Sequence, residues 1–156
     1  DLQSDIEKIK YNLDGDMIDL PVKLKVHDSI FVPLAKWSML LSGNYRCVKE
    51  ENAVAIKEAV HTDLKHSEEI YNWVGAIARK LGAIDSDQVP FDKYARAAES
   101  LIRPSSAARA LFSGAKNIER VDRLIKVIAI QMGEDTHLID PIIEQVDRRL
   151  EINRGS

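Results

Sequence analysis

The longest regular pattern of hydrophobic and polar positions in the chain lies between residues 49 and 82. Apolar or small residues recur there at steps of three and four, which places them on one face of a helix at about 100° per residue. Gly82 follows the pattern where a left-handed C-terminal cap is expected, and Arg79 and Lys80 lie in the last turn, where the helix dipole favours cations. The pattern therefore predicts one long amphipathic helix over residues 49–82, which either runs unbroken or breaks near residues 72–75, with Gly75 as the expected place of a break.

A second pattern predicts a buried helix over residues 29–42. Most residues between Ile30 and Leu41 are apolar, and Lys36 is the only charged one. A helix that is apolar on all sides is buried, so we expect this helix to form the core and Trp37 to be largely buried within it. Gly43 is predicted to end it.

The remaining patterns predict shorter helices. Caps and stops are visible at Ser105, at Asn117 and at Asp140-Pro141. Residues 22–26 alternate like a strand without a partner, and we interpret them as an extended connector or as the start of the next helix. The shorter helices are predicted over residues 2–12, 91–102, 105–112, 117–133 and 140–150.

Together these elements predict an all-α fold, a bundle of about six or seven helices around the long helix and the buried helix. The polar residues 85–90 divide it into an N-terminal helical part, 1–84, and a C-terminal helical part, 90–154. A single compact domain is the alternative.

In the helix over residues 117–133, Leu124 and Ile125 are expected to face inward. Val127 and Ile130 lie off that face, so this helix is either covered on more than one side or contacts a partner.

Composition and motifs exclude several classes of function. The single cysteine, Cys47, rules out an internal disulfide framework and fits a reducing compartment, so we expect a cytoplasmic protein. No apolar run is long enough to span a membrane, and no membrane association is expected. The sequence contains no G-x-G-x-x-G, P-loop or G-x-S-x-G motif. We therefore expect a domain that is not catalytic on its own and binds no cofactor.

Two E-x-x-H pairs raise the alternative of a metal site. Glu58 with His61, and Glu134 with His137, have the spacing that di-iron and di-manganese bundles use on facing helices. The first pair lies on the polar side of the long helix, and the second follows Gly133 in a predicted loop. We therefore expect no bound metal, and a carboxylate–histidine bundle is only the third hypothesis.

Positive charge is concentrated in residues 93–126, which carry eight Lys and Arg against three Asp and Glu, a balance of +5 in a chain of −3. The cations lie opposite the apolar faces of two successive helices, so they remain in water when those faces pack. Such a surface attracts phosphate groups whatever the nucleotide sequence, although an ordinary solvated face is the simpler interpretation. We call these eight residues the basic stripe: Lys93, Arg96, Arg103, Arg109, Lys116, Arg120, Arg123 and Lys126.

One resemblance to a known family is carried by two segments within residues 26–60, VHDSIFVPLAKWSMLL and VKEENAVAIKEAV. Their order, with a short turn between them, resembles the helical lid that follows the nucleotide-binding core of replicative AAA+ helicases. The resemblance brings no ATP-binding motif with it, and we do not assign the chain to that family. It implies a module of a DNA-processing protein.

The sequence therefore favours a non-catalytic binding module, an accessory or C-terminal domain of a nucleic-acid-handling protein that contacts the phosphate backbone electrostatically. The alternative is a protein-interaction or oligomerisation domain, with a homo-oligomer as one form. In that case Val127, Ile130 and the long helix would form the contact.

Overall fold

The computed structural model describes residues 2–19, 24 and 26–155. Within them the chain forms eight α-helices and one two-stranded sheet, so the all-α prediction is confirmed. The backbone contacts divide the chain into two units, residues 1–30 and 31–156, and the boundary predicted at residues 85–90 lies inside the larger unit. No helix in the described residues is both long and apolar enough to cross a membrane.

The first unit contains α1 (Leu2–Lys8) and a β-hairpin of β1 (Lys10–Leu13) and β2 (Asp16–Asp19). The prediction of a helix through residue 12 is therefore wrong beyond Lys8. Asp14 and Gly15 have φ values of 54° and 103°, the left-handed conformations that a two-residue hairpin turn requires. The Asp-Gly dipeptide was the sequence signal for this hairpin. None of the described residues 2–19 is buried.

The second unit contains seven α-helices joined by short turns. The connector predicted at residues 22–26 lies mostly outside the described residues. The helices are α2 Ala35–Met39, α3 Ile56–His61, α4 Leu64–Lys80, α5 Phe91–Ala98, α6 Ser106–Phe112, α7 Val121–Gln131 and α8 Asp140–Gly155.

The helix predicted over residues 29–42 is a helical run over residues 32–47. A 3₁₀ turn precedes α2, and a π-helical turn (Leu40–Asn44) and a second 3₁₀ turn (Tyr45–Cys47) follow it. Gly43 does not end the run, because its role is close packing: a Cβ there would overlap the Tyr94 hydroxyl. Burial on all sides is wrong for the first half of the run, where Trp37 is only half-buried, and correct from residue 41, where Leu41 is fully buried.

The long helix predicted over residues 49–82 is wrong in its start and in the place of its break. Helical structure begins at Ile56, and Asp63 separates α3 from α4 by accepting a hydrogen bond of 2.9 Å from the backbone N–H of His66. Asp63 is thus an N-cap, which the apolar spacing on both sides of it concealed. Gly75 lies inside the uninterrupted α4 and does not break it. Its lack of a side chain allows close packing, since a Cβ there would come within 2.8 Å of the Gln88 side chain.

The core lies where α3, α4, α6, α7 and α8 pack around the 32–47 run. Its largest fully buried side chains include Leu41, Ile70, Ile125 and Leu150. Tyr45 links this core to the start of α7, since its hydroxyl donates to the carbonyl of Glu119 at 2.8 Å and accepts from the backbone N–H of Val121 at 3.1 Å. The Tyr45 bridge fixes the position from which the α7 part of the basic stripe projects.

Candidate nucleic-acid interface

The α7 part of the basic stripe is engaged in ion pairs within the fold. Arg120 donates to both carboxylate oxygens of Asp122, from Nε at 2.9 Å and from Nη2 at 2.8 Å, and also donates to Asp147. Arg123 donates to the two oxygens of Asp147 at 3.2 and 2.7 Å. The contacts with Asp147 hold α7 against α8. Both guanidinium groups therefore already have carboxylate partners in the protein without a ligand.

The ion pairs of Arg120 are more buried than ordinary surface pairs. The Asp122 side chain is 0% exposed and that of Arg120 is 17% exposed. Desolvation by itself would lower the pKa of Arg120, but the hydrogen bonds with Asp122 and Asp147 outweigh it, and the net pKa is raised. Desolvation would likewise raise the pKa of Asp147, but the hydrogen bonds from Arg123 and Arg120 lower it overall. The charged forms are therefore favoured on both sides of the α7–α8 contact.

Two further cations of the stripe have carboxylate partners. Lys126 lies 2.9 Å from a carboxylate oxygen of Asp140 at the start of α8. Arg96 pairs with Asp92 one turn earlier on α5 at 2.8 Å, and both of these side chains are mostly exposed. An exposed pair of this kind is weak and opens readily for a competing anion. The Lys126–Asp140 pair is less exposed to solvent, since the Lys126 side chain is 35% exposed, so its attraction is screened less by salt.

The other four cations of the stripe form no ion pair with any residue in the described part of the chain. All four belong to exposed residues. Lys93 lies on α5, Arg103 in the loop between α5 and α6, Arg109 on α6, and Lys116 in the loop before α7. The continuous stripe predicted from the sequence is thus divided into a paired set and an unpaired set.

Arg103 and Arg109 line the same groove, whose volume is about 490 Å³. We call it the arginine groove. No acidic residue is among those described as lining it. Its walls are formed by Asn44, Ile56, Ser100, Leu101, Ile102, Arg103, Pro104, Ser105, Ser106 and Arg109.

Backbone hydrogen bonds hold the loop that carries Arg103. The carbonyl of Arg103 accepts from the backbone N–H of Ile56 at 3.2 Å, and the carbonyl of Leu101 accepts from that of Lys57 at 3.0 Å. On the other side, Ser105 caps α6 by accepting from the N–H of Ala108 at 3.1 Å. The predicted Ser105 cap is therefore confirmed, and the groove is built on fixed backbone rather than on a free loop.

Three of the four residues in the two E-x-x-H pairs, His61, Glu134 and His137, have other side-chain partners. His61 Nε2 lies 3.1 Å from the carbonyl of Ala95. Glu134 pairs with Lys80, and His137 Nδ1 lies 2.8 Å from a carboxylate oxygen of Asp135. No group of three or more His, Cys, Asp or Glu in the described residues is arranged to hold a metal ion.

The outer face of α7 is apolar and uncovered. Leu124, Val127 and Ile130 are 49%, 52% and 56% exposed. The expected inward orientation of Leu124 is therefore wrong, while that of Ile125, which is fully buried, is confirmed. The helix turns its cations toward α8 and leaves these three apolar side chains in solvent.

Sequence reasoning missed two of the carboxylates that pair with cations of the basic stripe, Asp122 and Asp147. Asp122 gave a weak local signal, since it follows Arg120 by two residues in the first turn of α7. Asp147 gave none, because its partners lie 24 and 27 residues away.

Comparison with protein-family models, curated proteins and solved structures found no match for this chain.

Proposed function

We propose that the domain is a non-catalytic helical module that binds nucleic acid by its phosphate backbone, with the arginine groove as the point of contact. The observation that carries the proposal is that Arg103 and Arg109, two exposed guanidinium groups with no ion pair in the described residues, line one groove with no acid in its walls. A guanidinium presents its N–H donors in a fixed fork that matches phosphate oxygens. Such a module would serve as an accessory or C-terminal domain of a nucleic-acid-handling protein.

The proposed interface is smaller than the basic stripe. Arg120, Arg123 and Lys126 would have to leave carboxylates before they could contact a phosphate, and for Arg120 that means uncovering the buried Asp122. Lys93 and Lys116 are unpaired and add long-range attraction. Contact through so few cations gives weak, sequence-tolerant binding that falls as salt rises, because each phosphate contact releases counterions.

The test compares two double variants in equilibrium binding to duplex DNA, single-stranded DNA and single-stranded RNA, at several salt concentrations. Arg103→Ala/Arg109→Ala removes the unpaired groove cations, and Arg123→Ala/Lys126→Ala removes two cations that have carboxylate partners. Both variants lose the same formal charge, so a nonspecific charge effect would be equal in the two. We expect the groove variant to flatten the log–log salt slope by about 2, and the matched variant by much less.

Two results would contradict the proposal. Absence of wild-type binding to all three polymers at low salt would make the unpaired cations an ordinary solvated surface. Equal slopes for the two double variants would mean that the groove is not the contact. The three polymers also separate duplex from single-stranded nucleic acid, and DNA from RNA.

The second candidate function is a protein-interaction or oligomerisation module, favoured by the uncovered apolar face of α7. Three neighbouring half-exposed aliphatic side chains on one helix are typical of a surface that becomes covered in a complex. The hypothesis that the long helix also contacts the partner has less support, since α4 buries most of its large apolar side chains and exposes few of them to a partner. This function and nucleic-acid binding use different residues and are compatible.

A further inference from the structure

The arginine groove has apolar walls as well as cations. Its lining residues include Ile56, Leu101 and Ile102 beside Arg103 and Arg109. Leu101 is 41% exposed and Ile102 is 74% exposed, so aliphatic surface lies in solvent next to the unpaired guanidinium groups. A ligand that fills the groove therefore meets positive charge and apolar surface together, and a row of phosphate groups alone would leave the apolar walls in water.

The backbone on both sides of Ile102 is held in place. The carbonyls of Leu101 and Arg103 accept hydrogen bonds of 3.0 and 3.2 Å from the backbone N–H groups of Lys57 and Ile56 at the start of α3. Ile102 also borders a second hollow of about 460 Å³, lined by Ala55, Lys57, Glu58, His61, Thr62 and Ile102. Its side chain is thus a fixed apolar ridge between two hollows.

Charge distinguishes the two hollows. The arginine groove has two cations and no acid among the described residues that line it, whereas the second hollow contains Glu58 beside Lys57. A phosphate is therefore attracted to the first hollow and gains no net attraction in the second. A nucleotide whose phosphate lies on the arginines has its uncharged sugar and base free to extend over the ridge that separates the hollows.

From this arrangement we infer that the arginine groove binds single-stranded nucleic acid, with phosphate on Arg103 and Arg109 and the face of an unpaired base against Ile102. In a duplex the base faces are stacked and the grooves expose only base edges, so a duplex covers the cations and leaves Ile102 in water. An aliphatic side chain forms no hydrogen bond with a base, so the contact tolerates any sequence. The inference rests on the proposed nucleic-acid function and names the form of nucleic acid.

The test measures binding of a short single strand, of the same strand in a duplex, and of an abasic strand that keeps the phosphates and sugars, at several salt concentrations. Wild type should bind the normal strand more tightly than the other two. Ile102→Ser should weaken binding of the normal strand by about three- to tenfold, through lost apolar contact, and leave the abasic strand and the salt slope unchanged. Ile84→Ser is the matched control, since Ile84 is 63% exposed outside the groove, and it should change nothing.

Three results would overturn the inference, provided that circular dichroism shows both serine variants folded. They are duplex binding at least as tight as single-strand binding, single-strand binding that Ile102→Ser leaves unchanged, and an equal loss for the abasic strand. Tighter duplex binding that Ile102→Ser weakens would instead make Ile102 a wedge between base pairs.

The groove variant Arg103→Ala/Arg109→Ala separates failure of this inference from failure of the proposed function. If that variant loses binding while Ile102→Ser binds like wild type, the phosphate contact stands and only the preference for an unpaired base is wrong. If wild type binds none of the polymers at low salt, both are wrong.

Discussion

Replacing Asp122 with alanine tests the most buried ion pair of the basic stripe, the pair between Arg120 and Asp122. The Asp122 carboxylate is fully buried in the first turn of α7 and accepts two hydrogen bonds from Arg120, at 2.9 and 2.8 Å. Its removal leaves a guanidinium that is 17% exposed with Asp147 as its one remaining carboxylate. It also removes an anion from a helix N-terminus, where the dipole favours negative charge.

The size of the effect follows from burial. Breaking a buried ion pair by removing one partner costs about 3–5 kcal/mol of unfolding free energy. Because Arg120 keeps its bond to Asp147, we expect the lower end, about 3 kcal/mol. Asp147→Ala leaves the Arg120–Asp122 pair in place and should cost about 1–2 kcal/mol. Asp92→Ala breaks only the exposed pair with Arg96 and should cost at most about 0.5 kcal/mol.

Urea unfolding followed by tryptophan fluorescence measures all three variants against wild type, with the m-value as a check that the transition is unchanged. Asp122→Asn is the matched control for shape, because it keeps the size of the side chain and removes the charge. It should recover only a minor part of the lost stability. If Asp122→Ala were no less stable than Asp92→Ala, the buried Arg120–Asp122 pair would contribute little to the fold, and Arg120 would be available to a ligand.

Three further predictions concern the core and its titratable groups. Trp37→Ala should cost about 3 kcal/mol in urea unfolding, the low end for an aromatic core residue, because Trp37 packs on the core yet stays half-buried; unchanged stability would remove it from the core. Burial raises the pKa values of Tyr45, Tyr71 and Tyr94 to about 12, so phenolate absorbance should show three tyrosines that titrate near pH 12. The raised values favour the neutral phenols of the folded state, so their stabilisation is present below about pH 10 and is lost as pH rises toward 12; full titration by pH 10 would contradict their burial. The lowered pKa of Asp147 stabilises the fold above about pH 4, and this contribution is lost as pH falls through that pKa; Asp147→Asn should therefore unfold less steeply in acid, and an unchanged acid profile would contradict the pairing.

Local signals were sufficient for most of the helix ends in the second half of the chain. Ser105 caps α6 as expected, and α8 begins at Asp140, directly before Pro141, as the cap-and-proline pair predicts. The start of α7 was placed a few residues early, because Asn117 is a good cap by type while helical structure begins at Val121. These ends depend on interactions over three or four residues, which is the range that a sequence shows directly.

Features that depend on distant residues could not be predicted. Gly43 and Gly75 indicated a helix end and a break, but each lies inside a helical segment against a side chain from another part of the chain, Tyr94 and Gln88 respectively. The same limit applied to the site. The sequence contains all eight cations of the basic stripe in plain view. Their pairing depends on Asp140 and Asp147 of α8, which reach Arg120, Arg123 and Lys126 only because α7 packs on α8.

The central claim, that the unpaired arginines of the groove contact phosphate and the paired ones of α7 do not, is tested most directly by the Nε–H resonances of the arginine side chains. These signals report each guanidinium separately in ¹H–¹⁵N spectra of the labelled protein during titration with a short oligonucleotide. We expect the signals of Arg103 and Arg109 to shift progressively and to return when salt is added, while those of Arg120 and Arg123 stay in place because Asp122 and Asp147 hold them. Shifts confined to Arg120 and Arg123, or no shift in any arginine signal, would contradict the claim.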